Sequence, residues 1–187
     1  MNKIEKLIQQ LCPEGVEFSK LNKITKSIKT GLNPRANFKL NSNNAQNFYV
    51  TVKEITSGKI KFSEKTDRIN DDAVKVIQNR SKLEIDDILF SGIGTIGKVA
   101  IVDIPTDNWN CSESVFLIKP IKEIINPRFL MYYLLSDFVK NQYNNQSVGS
   151  TLKGVRMGSL SELDIAIPPL PIQQEIVTIL DKFTALE

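Results

Sequence analysis

The chain has 187 residues, 41% of them hydrophobic, and 24 Lys and Arg against 21 Asp and Glu leave a net charge of +3. This is material for one domain, or one domain with an appended element, and too apolar for a wholly disordered chain. No run of about 18 apolar residues occurs, and with no histidine and two cysteines, Cys12 and Cys111, zinc sites, Ser-His-Asp triads and Cys-His nucleophiles lack their parts.

Taken in chain order, Ile4, Leu7, Ile8 and Leu11 recur at helical spacing until Cys12-Pro13-Glu14-Gly15 stops them, so a short N-terminal helix is expected. Val16-Glu17-Phe18 leads into Leu21, Ile24 and Ile28, and Thr30-Gly31-Leu32-Asn33-Pro34 is a loop by its turn chemistry. The middle reads as strands over 48–52, 85–90, 98–102 and 114–118, rich in β-branched and aromatic residues, with Ser57-Gly58 as punctuation. Asn126-Pro127-Arg128 opens a second helix, whose apolar positions Phe129, Leu130, Tyr133, Leu134 and Phe138 keep a 3.6-residue period. Residues 163–167 alternate like a strand and run into Pro168-Pro169-Leu170-Pro171, a stiff break. Beyond it Ile172, Ile176, Ile179, Phe183 and Leu186 fall at spacings of 4, 3, 4 and 3, a heptad seam that stops in mid-pattern and so reads as the start of a longer helix. The fold expected is α+β: a β-rich domain over 1–167 with flanking helices, then the beginning of a spacer helix over 168–187.

The charges are segregated along the chain. From Phe18 to Lys53 there are seven basic residues and no acid, Lys140, Lys153 and Arg156 recur among Asn and Gln, and 64–87 holds seven carboxylates. Such segregation suits a polyanion-binding face, though chance clustering on a solvated surface is an equal reading of charge alone. Gly92-Ile93-Gly94-Thr95-Ile96-Gly97 matches a dinucleotide-binding turn, and with Lys98 nearly a P-loop; a small nucleotide-binding enzyme built on Gly92–Lys98 is therefore the rival reading. The β-branched Lys98–Val102 succeeds it where those motifs have a helix, so a hairpin is expected, its glycines free to approach a phosphate backbone. Asn126-Pro127-Arg128 is a helix start and not a base-flipping methyltransferase motif, and Asp86-Asp87 reads as an exposed turn before a buried strand.

Several spaced features together resemble one family. Leu11–Glu17, Ile28–Arg35, Tyr49–Ile55 with Ser57-Gly58, Asp86–Gly92 with Thr95–Lys98, and above all Ile167-Pro168-Pro169-Leu170-Pro171-Ile172-Gln173-Gln174-Glu175-Ile176-Val177 are similar to the specificity subunit of type I restriction-modification enzymes. The resemblance implies a target-recognition domain that reads half of a bipartite site in double-stranded DNA. It also implies a spacer helix acting as ruler and as dock for the methyltransferase (M) subunits, with the restriction (R) subunit as a further partner, and no catalytic centre, cofactor or metal in this chain. Such subunits carry two recognition domains and this chain one, which leaves open a homodimer through the C-terminal helix, a truncation or a fragment. A cytoplasmic location is expected, with no membrane segment.

Within that frame, base edges are read by Arg, Asn and Gln, and phosphates are held by Lys, Ser and Thr. The DNA-binding candidates are Lys29, Thr30, Asn33, Arg35 and Asn37 in the acid-free loop, Lys53 and Ser57 at a strand end, Ser91, Thr95 and Lys98 in the glycine turn, and Ser147, Thr151, Lys153 and Arg156 in the late loop. The subunit-interface candidates are Ile172, Ile176, Ile179, Phe183 and Leu186.

Overall fold

A computed structural model describes residues 3–146 and 154–184. Its centre is a four-stranded antiparallel sheet in the order β2 (Thr25–Thr30), β10 (Val115–Pro120), β7 (Ile88–Ser91), β8 (Val99–Ile101). Successive side chains of a strand point to opposite faces, and here both faces are buried. Ile88, Phe90, Val99, Ile101, Phe116 and Ile118 enter one core with the helices, while Leu89, Ala100, Val115 and Leu117 enter a second with Val50, Ile55, Leu83, Trp109 and Cys111. Two buried faces explain why these strands read as unbroken apolar runs.

The second layer is a three-stranded sheet, β6 (Arg68–Ile69), β3 (Asn47–Val50), β9 (Trp109–Cys111), in which β3 and β9 run parallel. Helix α3 (Asp71–Arg80) covers it, burying Ala73, Val74 and Ile77 against Tyr49 and Ile69. The Asn70 side chain caps this helix by accepting the Ala73 N–H at 2.9 Å, and Asp71 and Asp72 favour the positive end of its dipole. Thus the carboxylate-rich stretch holds a helix that its charge pattern obscures. A hairpin, β4 (Ile55–Thr56) with β5 (Lys59–Ile60), turns at Ser57 and Gly58, and β1 (Phe18–Lys20) pairs with β11 (Asp164–Ala166).

Helix α1 (Lys3–Leu11) lies against α7 (Leu170–Thr184), which in turn packs on α4 (Pro127–Leu135). The helix expected to run through Phe138 breaks at Ser136, whose backbone is extended. Its hydroxyl donates to the Tyr133 carbonyl at 2.6 Å, and a separate helix, α5 (Asp137–Gln146), comes after it. A serine followed by aspartate offers the backbone a cap in place of another helical turn, and here that local chemistry overrides the apolar period. The short helices α2 (Pro34–Asn37) and α6 (Met157–Ser161) complete the chain. No described helix is long and apolar enough to cross a membrane.

At the α4–α7 junction the most specific stretch of the sequence acquires a physical role. Gln173 is 0% exposed. Its Oε1 accepts the Asn126 N–H at 2.7 Å, and its Nε2 donates to the Ile124 and Pro168 carbonyls at 3.0 and 2.7 Å. Asn126 meanwhile caps α4 by accepting the Arg128 N–H at 2.9 Å. One buried amide therefore satisfies three main-chain groups at a point where two helices begin, which no apolar residue of that size can do.

Candidate nucleic-acid interface

Strand register brings distant loops to one place. Thr30 pairs with Phe116, Phe116 with Phe90, and Phe90 with Val99, so the loops leaving β2, entering β10 and joining β7 to β8 share one end of the central sheet. Val50 lies beside Cys111 in the neighbouring sheet, which adds the 51–54 turn. Ile93 forms a bridge with Gly154, and the Val155 N–H donates to the Gly92 carbonyl at 2.8 Å, which adds the 154–156 segment. The four stretches favoured by the sequence thus include parts that meet, as a consequence of sheet topology.

Each loop is braced from within. In the β7–β8 turn the Ser91 hydroxyl donates to the Thr95 carbonyl at 2.6 Å and accepts the Lys98 N–H at 2.8 Å. Lys98 Nζ donates to the Val52 carbonyl at 3.1 Å, tying this hairpin to the 51–54 turn. That turn is held by buried Glu54, whose Oε2 accepts both the N–H and the hydroxyl of Thr51 at 2.8 Å. In the 31–37 loop, Asn33 Nδ2 donates to Glu113 Oε1 at 2.7 Å, Asn37 Nδ2 to the Asn33 carbonyl at 2.8 Å, and the Tyr49 hydroxyl to the Leu32 carbonyl at 2.6 Å. Burial first, and then the nearby Glu113 carboxylate, push the Tyr49 phenol far above its ordinary value, so it stays a neutral donor. Asn33, Tyr49, Thr51, Asp67 and Glu113 line a cavity of about 230 Å³ at this end.

Several expectations need correction. Ser91 is 0% exposed, so its hydroxyl is an internal brace and no contact for a backbone phosphate. Nor do the glycines of the turn leave room for a ligand. A Cβ on Gly92 would lie 2.1 Å from the Phe116 ring, and one on Gly97 2.2 Å from the Tyr143 hydroxyl oxygen, so their missing side chains make space for the core. Only Gly94 of the three faces little beyond a Val52 methyl at 3.9 Å. Asp87, expected in an exposed turn, is buried, with its carboxylate 2.6 Å from Lys119 Nζ; burial nevertheless raises its pKa.

The acid-free stretch is acid-free only along the chain. Glu54, Asp67 and Glu113 fold into its surroundings, and Lys20 pairs with Asp164 at 2.7 Å. Its basic residues also divide: Lys26 is the second residue of β2 and Lys29 the last but one, so they sit toward opposite ends of the sheet. Of the remaining candidates, Lys53, Ser57, Thr95 and Arg156 are exposed, and Thr30 accepts Arg80 Nη2 at 3.3 Å. Ser147, Thr151 and Lys153, the Arg35 side chain, and Leu186 lie outside the described residues. On α7, Ile172 is 1% exposed inside the chain's own core, Ile176 packs on that core, Ile179 is half-buried, and Phe183 is 66% exposed. Ile172 is therefore no partner surface as the chain stands. Glu113 and Tyr49 escape a reading of the sequence because nothing in it links them to Asn33, 80 and 16 positions away.

The β7–β8 hairpin also disposes of the nucleotide-binding rival. The phosphate-cradling motifs need a helix after the last glycine, and here β8 pairs antiparallel with β7. Cys111, fully buried with its thiol pushed up to about 12 by that burial, offers no nucleophile.

A family model described as "Type I restriction modification DNA specificity domain" matches residues 13–187. The chain belongs to that family. A protein of Methanocaldococcus jannaschii named as type I restriction enzyme MjaX specificity subunit is 30% identical over 186 residues, which is 93% of this chain and 40% of the relative. The type I restriction enzyme EcoBI specificity subunit of Escherichia coli is 33% identical over 100 residues, 52% of this chain and 20% of its own length. Among solved structures, the HsdS subunit from Thermoanaerobacter tengcongensis superposes with a TM-score of 0.60 at 15% identity, covering 98% of this chain and 42% of that one. The S subunit from M. genitalium gives 0.59 at 17%, covering 91% and 39%. At these identities the structures bear on fold alone, which is the mixed α+β arrangement of the specificity family. This DNA specificity chain spans about two-fifths of the length of the MjaX relative and of both structural neighbours.

Proposed function

We propose that this chain is a non-catalytic reader of double-stranded DNA, applying the loop end of its central sheet to one half of a bipartite site. It serves there as the specificity component that brings methyltransferase and restriction subunits to the DNA in the cytoplasm. The observation that carries this reading is the convergence of the 31–37, 91–98 and 154–156 segments at one end of the central sheet with the 51–54 turn of its neighbour, Lys53, Thr95 and Arg156 being exposed there. Rigid loops on a packed scaffold suit base reading, because little ordering entropy is lost on binding. Helix α7, with Phe183 exposed, is the surface offered to the other subunits or to a second copy.

The test is titration of labelled duplex DNA at several salt concentrations. Log affinity falls linearly with log salt, because each neutralised phosphate releases counterions. Lys53→Ala weakens binding to all sequences alike and lowers the salt slope by about 1. Duplex binding that ignores salt, or no binding with the methyltransferase subunit present, would end this reading.

A further inference from the structure

The β7–β8 turn presents an apolar side chain where folding gives no reason for one. Ile93 is 53% exposed. Its backbone is held on one side by the bridge to Gly154 and on the other by the Ser91 hydroxyl, which ties Thr95 and Lys98 together behind it. The Gly97 N–H adds a bond to the Ser91 carbonyl at 3.0 Å. An exposed isoleucine on a mobile loop is ordinary, but one fixed at the tip of a braced hairpin, among Gly92, Gly94 and exposed Thr95, is a shaped apolar contact.

We propose that Ile93 reads the 5-methyl group of a thymine in the major groove. The proposal rests on the DNA reading above and names a base contact within it. The β7–β8 turn projects beyond the paired strands, and the major groove, about 12 Å wide, admits such an element without being opened, whereas the minor groove is only about 6 Å wide. In the major groove the thymine methyl is the apolar mark on a base edge, and a branched aliphatic side chain is complementary to it. The hydrogen bonds that brace the turn use up Ser91 and engage Lys98, which leaves Ile93 and Thr95 as the groups facing outward from its tip.

The experiment uses the full chain and the duplex it selects from a randomised pool. Each thymine of that duplex is replaced in turn by uracil, which lacks only the methyl. Wild type is expected to bind about fourfold more weakly when one particular thymine is replaced, the effect of losing one buried methyl contact. Ile93→Ala binds the thymine and uracil forms of that position equally, while Ile93→Val keeps most of the difference. In such a cycle the coupling between side chain and methyl is read directly, apart from any general loss of affinity. If Ile93→Ala lowers affinity yet leaves every thymine-to-uracil ratio unchanged, or if it binds like wild type throughout, Ile93 reads no methyl and the proposal is overturned while DNA binding stands. If wild type selects no duplex, the proposed function and this contact fall together.

Discussion

Gln173 sits fully buried where α4 and α7 begin, and its amide bonds three main-chain groups there. Removing its amide takes the partner from the Asn126 N–H and from the Ile124 and Pro168 carbonyls around a fully buried position. Unpaired buried groups of this kind cost roughly 1–3 kcal/mol each, less whatever relaxation recovers. Gln173→Ala is expected to destabilise the chain by about 2–3 kcal/mol, a fall in Tm of roughly 4–12 °C for a domain of this size. The adjacent Gln174→Ala, at an exposed position, stays within about 0.5 kcal/mol. Differential scanning calorimetry of the pair checks this, and equal melting temperatures would count against the buried clamp. Gly97 makes a second case: its φ of +81° and the Tyr143 hydroxyl 2.2 Å from a would-be Cβ forbid a side chain twice over. Gly97→Ala should lower Tm and DNA affinity together, whereas Gly94→Ala, with φ +83° but open space around it, costs only the backbone strain.

At the level of elements, α7 is joined to α4 by more than the Gln173 clamp. Asp181 Oδ1 accepts Arg128 Nη2 at 2.8 Å and the Tyr132 hydroxyl at 2.6 Å. Burial pushes the Asp181 carboxyl up, but the Tyr132 and Arg128 hydrogen bonds outweigh it and leave it below the usual carboxylate range. A depressed folded-state pKa means that the unfolded chain binds the proton first. The stabilisation is present above the unfolded value, about 3.9, and is lost as pH falls through the folded one. Asp181→Asn should therefore lower stability near neutrality and flatten the acid limb of the stability curve below about pH 4. Urea unfolding at pH 7 and pH 3 measures it; an unchanged difference between the two pH values would argue against the ion pair. Asp87 works in the opposite sense, since its raised pKa favours folding at low pH, so the single Asp181 variant is the clean comparison. The same element scale explains the failed helix extension at Ser136 and the overlooked α3: each turned on a capping side chain, and caps decide boundaries that apolar period alone leaves open.

For the whole molecule, the decisive quantity is which charges share an end. Lys53 lies with the converging loops, whereas Lys26 is near the start of β2, toward the end where Lys119 meets Glu84 and Asp87. Lys53→Ala is expected to weaken duplex binding several-fold, and Lys26→Ala to leave it within experimental error. Equal losses would mean that a diffuse positive field, not the loop end, holds DNA. Much of this is legible in the sequence. The strands around Phe90, Ala100 and Leu117, the N-terminal helix, the Asn126 helix start and the heptad of α7 all arise from local chemistry and period, and the spaced motifs point to the DNA specificity family. These elements can be read locally because propensity, capping and apolar spacing act over a few residues. Strand pairing across the chain is what brings Glu113 to Asn33, turns Ser91, Gly92 and Gly97 to the core instead of a ligand, and parts Lys26 from Lys29. Those outcomes depend on strand register, which places residues 80 positions apart within a hydrogen bond of one another and turns charges close in sequence toward different ends of one sheet.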